Sequence, residues 1–181
     1  NLSLDGIHLA GRDLLGNTAS RAVRIGGDGA TLRVNDCVIT DVGQSILRFN
    51  ADDINAYFTN SIMNRIGDPT NPNNGRFLDT RGNPVDTVWV ENCIVYDITS
   101  RIYRSDNGDM NYGVFNQNTF FGSAQNGFTF SPANTLKFTN NIVADPVFLG
   151  QTDSSLAYAM TMDTFISGTH NVDISYNNIY V

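Results

Sequence analysis

One pattern recurs along the chain: hydrophobic, any, hydrophobic, any, Asn or Asp, any, any, hydrophobic. Residues 32–39 (LRVNDCVI), 88–95 (VWVENCIV) and 136–143 (LKFTNNIV) match it, and 56–63 (AYFTNSIM) matches with a small first residue. Residues 114–121 (VFNQNTFF) carry a polar third position, and residues 2–9 carry Gly6 where Asn or Asp is expected. A last rung reaches 177–180 (NNIY) with one extra residue. The anchors are Gly6, Asp36, Asn60, Asn92, Asn118, Asn140 and Asn177, at separations of 30, 24, 32, 26, 22 and 37 residues. Self-similarity at a period of about 20–40 residues marks stacked units that share one continuous core.

Each rung has a physical reading. Alternating apolar residues such as Val88 and Val90 point inward from a strand. The Asn then turns the chain, and stacked amides satisfy one another and the polar groups of the corner. A β-sandwich also has short strands at intervals, but it gives no reason for Asn at one place in each. The expected fold is all-β: a right-handed parallel β-helix, a solenoid of about seven coils. Its asparagine-rich turn ladder is expected at Asp36, Asn60, Asn92, Asn118, Asn140 and Asn177. A second strand follows each rung, at 22–25, 46–49, 77–80, 102–105 and 128–131. Residues 1–181 read as a single domain with insertions near 67–75, 105–113 and 145–171, the last an irregular excursion or a short helix. Both chain ends fall inside strand-like segments, so a section of a larger protein is expected. Cys37 and Cys93 share a rung position with Ser61 between them. Two steps of about 4.8 Å hold them too far apart for a disulfide, so both are expected free.

Composition narrows the function. Charged residues are only 16% of the chain against roughly 25% in an average domain. Eleven Phe and seven Tyr supply ample surface to bury, which excludes a disordered chain. The net charge of −7, with Lys137 the sole lysine beside ten arginines, excludes a nucleic-acid partner. No apolar run reaches a membrane span of about 20 residues.

Arginine is the most suggestive feature. Aligning the second strands places Arg24, Arg48 and Arg104 in one column, with Asp79 between the latter two. A column three residues earlier holds Arg21, Arg76 and Arg101, on the opposite strand face unless a bend intervenes. Guanidinium groups repeated at coil spacing suit sugar carboxylates or sulfates, which they pair bidentately. The competing reading is a structural salt-bridge ladder. Ring faces that stack on sugars are the second tool, among Tyr57, Trp89, Tyr96, Tyr103 and Tyr112, with Trp89 outward between Val88 and Val90. The substrate-binding candidates are Arg24, Arg48, Arg104, Tyr103 and Trp89. Asp52-Asp53 resembles half of an inverting glycosidase pair. Asp28, Asp86 and Asp106 fall in similar turns, however, which favours turn formation. His8 and His170 sit in no triad or metal-ligand spacing. No metal site or cofactor is expected: turn carboxylates are calcium-type ligands, but no EF-hand-like or nonapeptide spacing is present.

The rungs VENCIVYDI and FTNNIVADP, with a following strand such as SRIYRS, resemble the pectate-lyase-like right-handed parallel β-helix superfamily. More narrowly they are similar to β-helix domains of unknown function in large secreted bacterial surface proteins. The resemblance covers nearly the whole chain and implies a secreted or cell-surface location. For a lyase of this kind it implies an arginine or lysine base, a role open to Arg48 or Arg104, with calcium or polar groups neutralising the uronate carboxylate. The polygalacturonase pattern is matched only at Asp52-Asp53, and no complete catalytic motif is present. The expected function is binding, or help in processing, of a polysaccharide, uronate-containing chains among the candidates. The alternative is a non-catalytic structural or adhesive solenoid, a stalk or filament segment that self-associates end to end.

Overall fold

The computed structural model describes residues 1–68, 70–71, 73–105, 108–123, 127–144, 160–162 and 170–180. Its ordered elements are strands, numbered in chain order, and none of the described residues is helical. The first sheet stacks β1 (Leu2–Asp5), β4 (Thr31–Asn35), β7 (Ile54–Thr59), β10 (Val85–Glu91), β13 (Met110–Asn116), β16 (Ala133–Thr139) and β19 (Asn171–Ser175). The second stacks β2 (His8–Ala10), β5 (Val38–Val42), β8 (Ile62–Ile66), β11 (Ile94–Ile98), β14 (Thr119–Ser123), β17 (Ile142–Ala144) and β20 (Asn178–Tyr180). The third stacks β3 (Arg21–Ile25), β6 (Ser45–Phe49), β9 (Arg76–Asp79), β12 (Arg101–Arg104), β15 (Phe128–Phe130) and β18 (Met160–Met162). Pairing within the sheets is parallel and joins each strand to the one three places on, an arrangement consistent with a β-solenoid.

The core lies between the three sheets and is built from columns of like residues. On the first sheet Leu32, Ala56, Val88, Gly113 and Leu136 stack in register, and Val34, Phe58, Val90, Phe115 and Phe138 form the parallel column. Towards β12–β16 the filling becomes aromatic. Phe128 meets Phe138 at 5.0 Å and Tyr103 meets Phe130 at 5.1 Å between ring centroids. Such pairs add about 0.5–1.5 kcal/mol each beyond their burial.

The corner between the first and second sheets corrects the expected single Asn ladder. It contains two adjacent columns with different duties. Gly6, Asp36, Asn60, Asn92, Gln117, Asn140 and Tyr176 occupy the outer column, all with positive φ between 51° and 61°. Asn and Asp tolerate that left-handed conformation better than other side chains, which explains the recurring Asn or Asp. Cys37, Ser61, Cys93, Asn118, Asn141 and Asn177 form the inner column, one residue later. Asn118 and Asn177 therefore leave the column of Asp36, Asn60, Asn92 and Asn140, and Asn141 joins them inside. Asn141 Oδ1 accepts the backbone N–H and the amide of Asn118, both at 3.0 Å, while its own amide donates to Phe115 O at 2.9 Å. Asn177 repeats the motif towards Asn141 and Phe138 O.

The cysteines work in the same inner column. Both are free and buried. Cys37 donates its thiol to Asn35 O and Cys93 to Glu91 O, while Cys37 N–H donates to Ser61 Oγ at 3.0 Å. Burial pushes the Cys93 thiol up to about 12, so it stays neutral. The insertion near 67–75 begins and ends at Gly67 and Gly75, where a Cβ would collide with the Thr99 side chain. The insertion near 105–113 is shorter than expected, because Met110–Gly113 already belong to β13. Most of 145–171 and Asp106 lie outside the described residues.

Two outcomes follow from the corner. Asn141→Ala should cost about 2 kcal/mol or more in urea unfolding, because it leaves the buried Asn118 N–H and amide without their acceptor. Asn140→Gly, at an exposed left-handed position, should stay within about 0.5 kcal/mol of the parent. Both cysteines should resist a thiol reagent in the folded protein at mild alkaline pH and react together after denaturation.

Candidate functional site: an arginine-bearing sheet face

The strands of the third sheet carry six arginines and a single acid, Asp79. Their register matches the expected columns. Arg24 pairs Arg48, Arg48 pairs Asp79, and Asp79 pairs Arg104. Three residues earlier, Arg21, Ser45, Arg76 and Arg101 follow one another. The two columns share one side of the sheet because each strand presents two consecutive core residues between them. Ile46-Leu47, Phe77-Leu78 and Ile102-Tyr103 are all at most 1% exposed. Pairing skips the first residue of each couple, so the strand bends there and the period of two is broken.

That bend moves one expected contact residue out of reach. Tyr103 is 1% exposed, packs on Phe115 and Phe130, and directs its hydroxyl towards Met110 Sδ at 4.0 Å. A surface ligand therefore cannot touch Tyr103. Strict alternation would have placed it outward, and the double inward step reverses it.

Electrostatics tie the arginines together. Asp79 lies 4.0 Å from Arg76 and 3.6 Å from Arg81, which follows β9 at a positive φ of 52°. Arg81 was not singled out from the sequence, since it sits beyond the aligned strand. Burial lowers the Arg76 guanidinium to about 10, opposed by Asp79 and reinforced by Arg104 and Arg101. Burial also lowers Arg48, with Arg81 and Arg21 repelling it and Asp79 partly compensating. Both remain cationic at neutral pH. Seven of the ten arginines thus lie on or next to the third sheet, and two of them, Arg76 and Arg81, pair with Asp79, in a chain of net charge −7.

Trp89 faces outward as expected, but on the first sheet and apart from this cluster. It follows Arg33 and Tyr57 in one column. Its indole donates to Glu91 at 3.1 Å and stacks on Tyr112 at 6.3 Å and 28°, while the Arg33 guanidinium sits 4.2 Å over the Tyr57 ring. A groove of about 260 Å³ lies beside them, lined by Asp5, Asn35 and Thr59 as well.

The Asp52-Asp53 pair serves the turn. Asp52 accepts from Asn83 at 3.0 Å and its N–H donates to Asp28, and Asp53 adopts a φ of 56°. Among the described residues no group of three or more His, Cys, Asp or Glu is placed to hold a metal ion, and no helix is long and apolar enough to cross a membrane.

Asp79→Asn should remove about 3 kcal/mol of stability in urea unfolding, because it strips Arg76 of its counter-charge in a buried setting. An unchanged midpoint would show that the carboxylate does not hold this cluster together. Comparisons with known protein families, with curated proteins and with solved structures found no match to this chain.

Proposed function

We propose that the chain is a right-handed parallel β-helix of about seven coils, of the pectate-lyase-like kind, that binds an acidic polysaccharide at a cell surface or in secreted form. The observation that carries this reading is the arginine face. Six arginines lie on stacked strands about 4.8 Å apart that carry one acidic residue, Asp79, in a protein that is acidic overall. A linear polyanion such as a uronate chain meets such a row with one acidic group after another. Guanidinium then pairs each carboxylate bidentately. Arg24 is exposed and Arg48 half-buried, so both offer donors to a ligand.

Binding is favoured over turnover. Elimination from a uronate needs a base, and the charged groups around Arg48 among the described residues, Arg81, Arg21, Asp79 and Arg24, form no catalytic set. Calcium is not needed for the reading, because the arginines already supply the positive charge.

A structural solenoid, a stalk or filament segment that associates end to end, is the second reading, supported by the parallel pairing that stacks each level on the next.

The two readings separate in one set of measurements. Titration calorimetry with oligogalacturonate and with a neutral glucan should give binding to the acidic chain alone, weakening as salt rises. The double variant Arg24→Ala, Arg48→Ala should bind at least tenfold more weakly, as expected for losing charge-assisted bonds worth about 1.5–3 kcal/mol each. Absorbance should register no unsaturated uronate product. Equal affinity for neutral and acidic glycans would sink the arginine reading. Concentration-dependent association in ultracentrifugation, without glycan binding, would favour the structural solenoid.

A further inference from the structure

The outward face of the first sheet takes no part in the arginine cluster of the third. Ser3, Arg33, Tyr57 and Trp89 follow one another there in a single register column. Strand alternation puts a second column, Asp5, Asn35, Thr59 and Glu91, on the same face two residues later. The first column supplies rings and the second supplies side-chain oxygens. The groove of about 260 Å³ is lined by residues of both. That volume falls below the roughly 300–1,000 Å³ of pockets for drug-sized molecules, so the groove suits one ring-sized unit of a ligand.

Rings and rim are fixed before any ligand arrives. Arg33, one strand before Tyr57, lies over the Tyr57 ring, and Tyr112, one strand after Trp89, stacks on the indole. The Tyr57 and Trp89 pair is thus braced from its two outer sides, and both rings line the groove. The indole N–H donates to Glu91 Oε2, while the Asn116 amide donates to Glu91 Oε1 at 2.9 Å. Along the rim the Asn35 amide donates to Asp5 at 2.7 Å and the Thr59 hydroxyl donates to Asn35 at 2.8 Å. A site held in this way loses little freedom on binding.

These parts select a ligand by chemistry. Half-buried aromatic rings take the C–H side of a sugar, and a row of carboxylate, amide and hydroxyl oxygens takes its hydroxyl groups. The charges disfavour a uronate, because Asp5 and Glu91 stand against Arg33, which is committed to Tyr57. A glucose-type ring divides its C–H groups between its two faces. A galactose-type ring gathers them on the face opposite its axial hydroxyl, which gives the rings an apolar side and the rim a polar one.

We propose that Tyr57 and Trp89, with the Asp5, Asn35 and Thr59 rim, form a site for one neutral galactose-type unit of a glycan. The site is separate from the arginine face and stands independently of the acidic-polysaccharide reading. With both in place, the solenoid bridges an acidic chain on one sheet and a neutral chain on another.

Trp89 is the sole tryptophan of the chain, so its emission reports on this groove directly. The full chain is titrated with galactotetraose, cellotetraose, oligogalacturonate and a proline-rich peptide, the last being the other ligand class that aromatic grooves take. Galactotetraose should shift the emission to shorter wavelength in a saturable manner that salt does not weaken, and the other three should leave it unchanged. Tyr57→Ala should weaken the response several-fold. Asp5→Ala, at an exposed position, should do the same, and it carries the test should Tyr57→Ala fail to fold. No shift with galactotetraose, an equal shift with cellotetraose or oligogalacturonate, or a shift with the peptide alone would overturn the site. So would a response that both variants retain in full. Calorimetric binding of oligogalacturonate, with Trp89 silent towards galactotetraose, would overturn the groove and leave the arginine reading standing. A galactotetraose response without oligogalacturonate binding would do the reverse.

Discussion

The corner between the first two sheets is a hydrogen-bonding problem, and its solution sets the register of everything else. Residues in the outer, left-handed column donate their N–H groups in one direction, as when Asp36 donates to Thr59 O, Asn60 to Glu91 O and Asn92 to Asn116 O. Two residues later the direction reverses, with Ile62 donating to Cys37 O, Ile94 to Ser61 O and Thr119 to Cys93 O. The residue between them faces inward at the reversal, where its N–H finds no carbonyl. A side-chain acceptor from the next repeat closes that gap: Ser61 for Cys37, Asn118 for Cys93 and Asn141 for Asn118. A serine, a cysteine or an asparagine can therefore stand in the inner column. An apolar residue there would leave a buried donor unmet at every level.

With register held at that corner, the other columns follow. Apolar residues of successive repeats stack directly, which is why the core runs as continuous ribbons of Val, Ile and Phe rather than as an interdigitated layer. The same stacking acts on charge. A side chain repeated at one position is repeated in space at about 4.8 Å, so arginines at equivalent positions form a row. In a sandwich the same arginines would scatter. Here they concentrate, and a protein that is acidic on average presents one basic sheet face.

The third sheet departs from strand alternation, and that departure shapes its chemistry. Two inward residues in succession let both arginine columns emerge on the same side, doubling the charge there. The double step also buries Tyr103 among phenylalanines. One bend therefore creates the cluster and removes an aromatic residue from it. The aromatic strip of Tyr57, Trp89 and Tyr112 belongs to the first sheet, where alternation holds.

Sequence alone determined the repeat, the strand identity of each rung, the free cysteines and the alignment of Arg24, Arg48 and Arg104. All of these are consequences of period, and period is written in residue order. It could not separate the two corner columns, because Asn serves both: outside for its tolerance of positive φ, inside for its amide oxygen. Only the tertiary structure decided that Asn141 rather than Asn140 is buried. It also decided that Arg81 joins the cluster and that the two arginine rows face the same way. Those facts depend on a local bend and on residues beyond the strand ends, where no alternation of polar and apolar side chains reports the direction of the backbone.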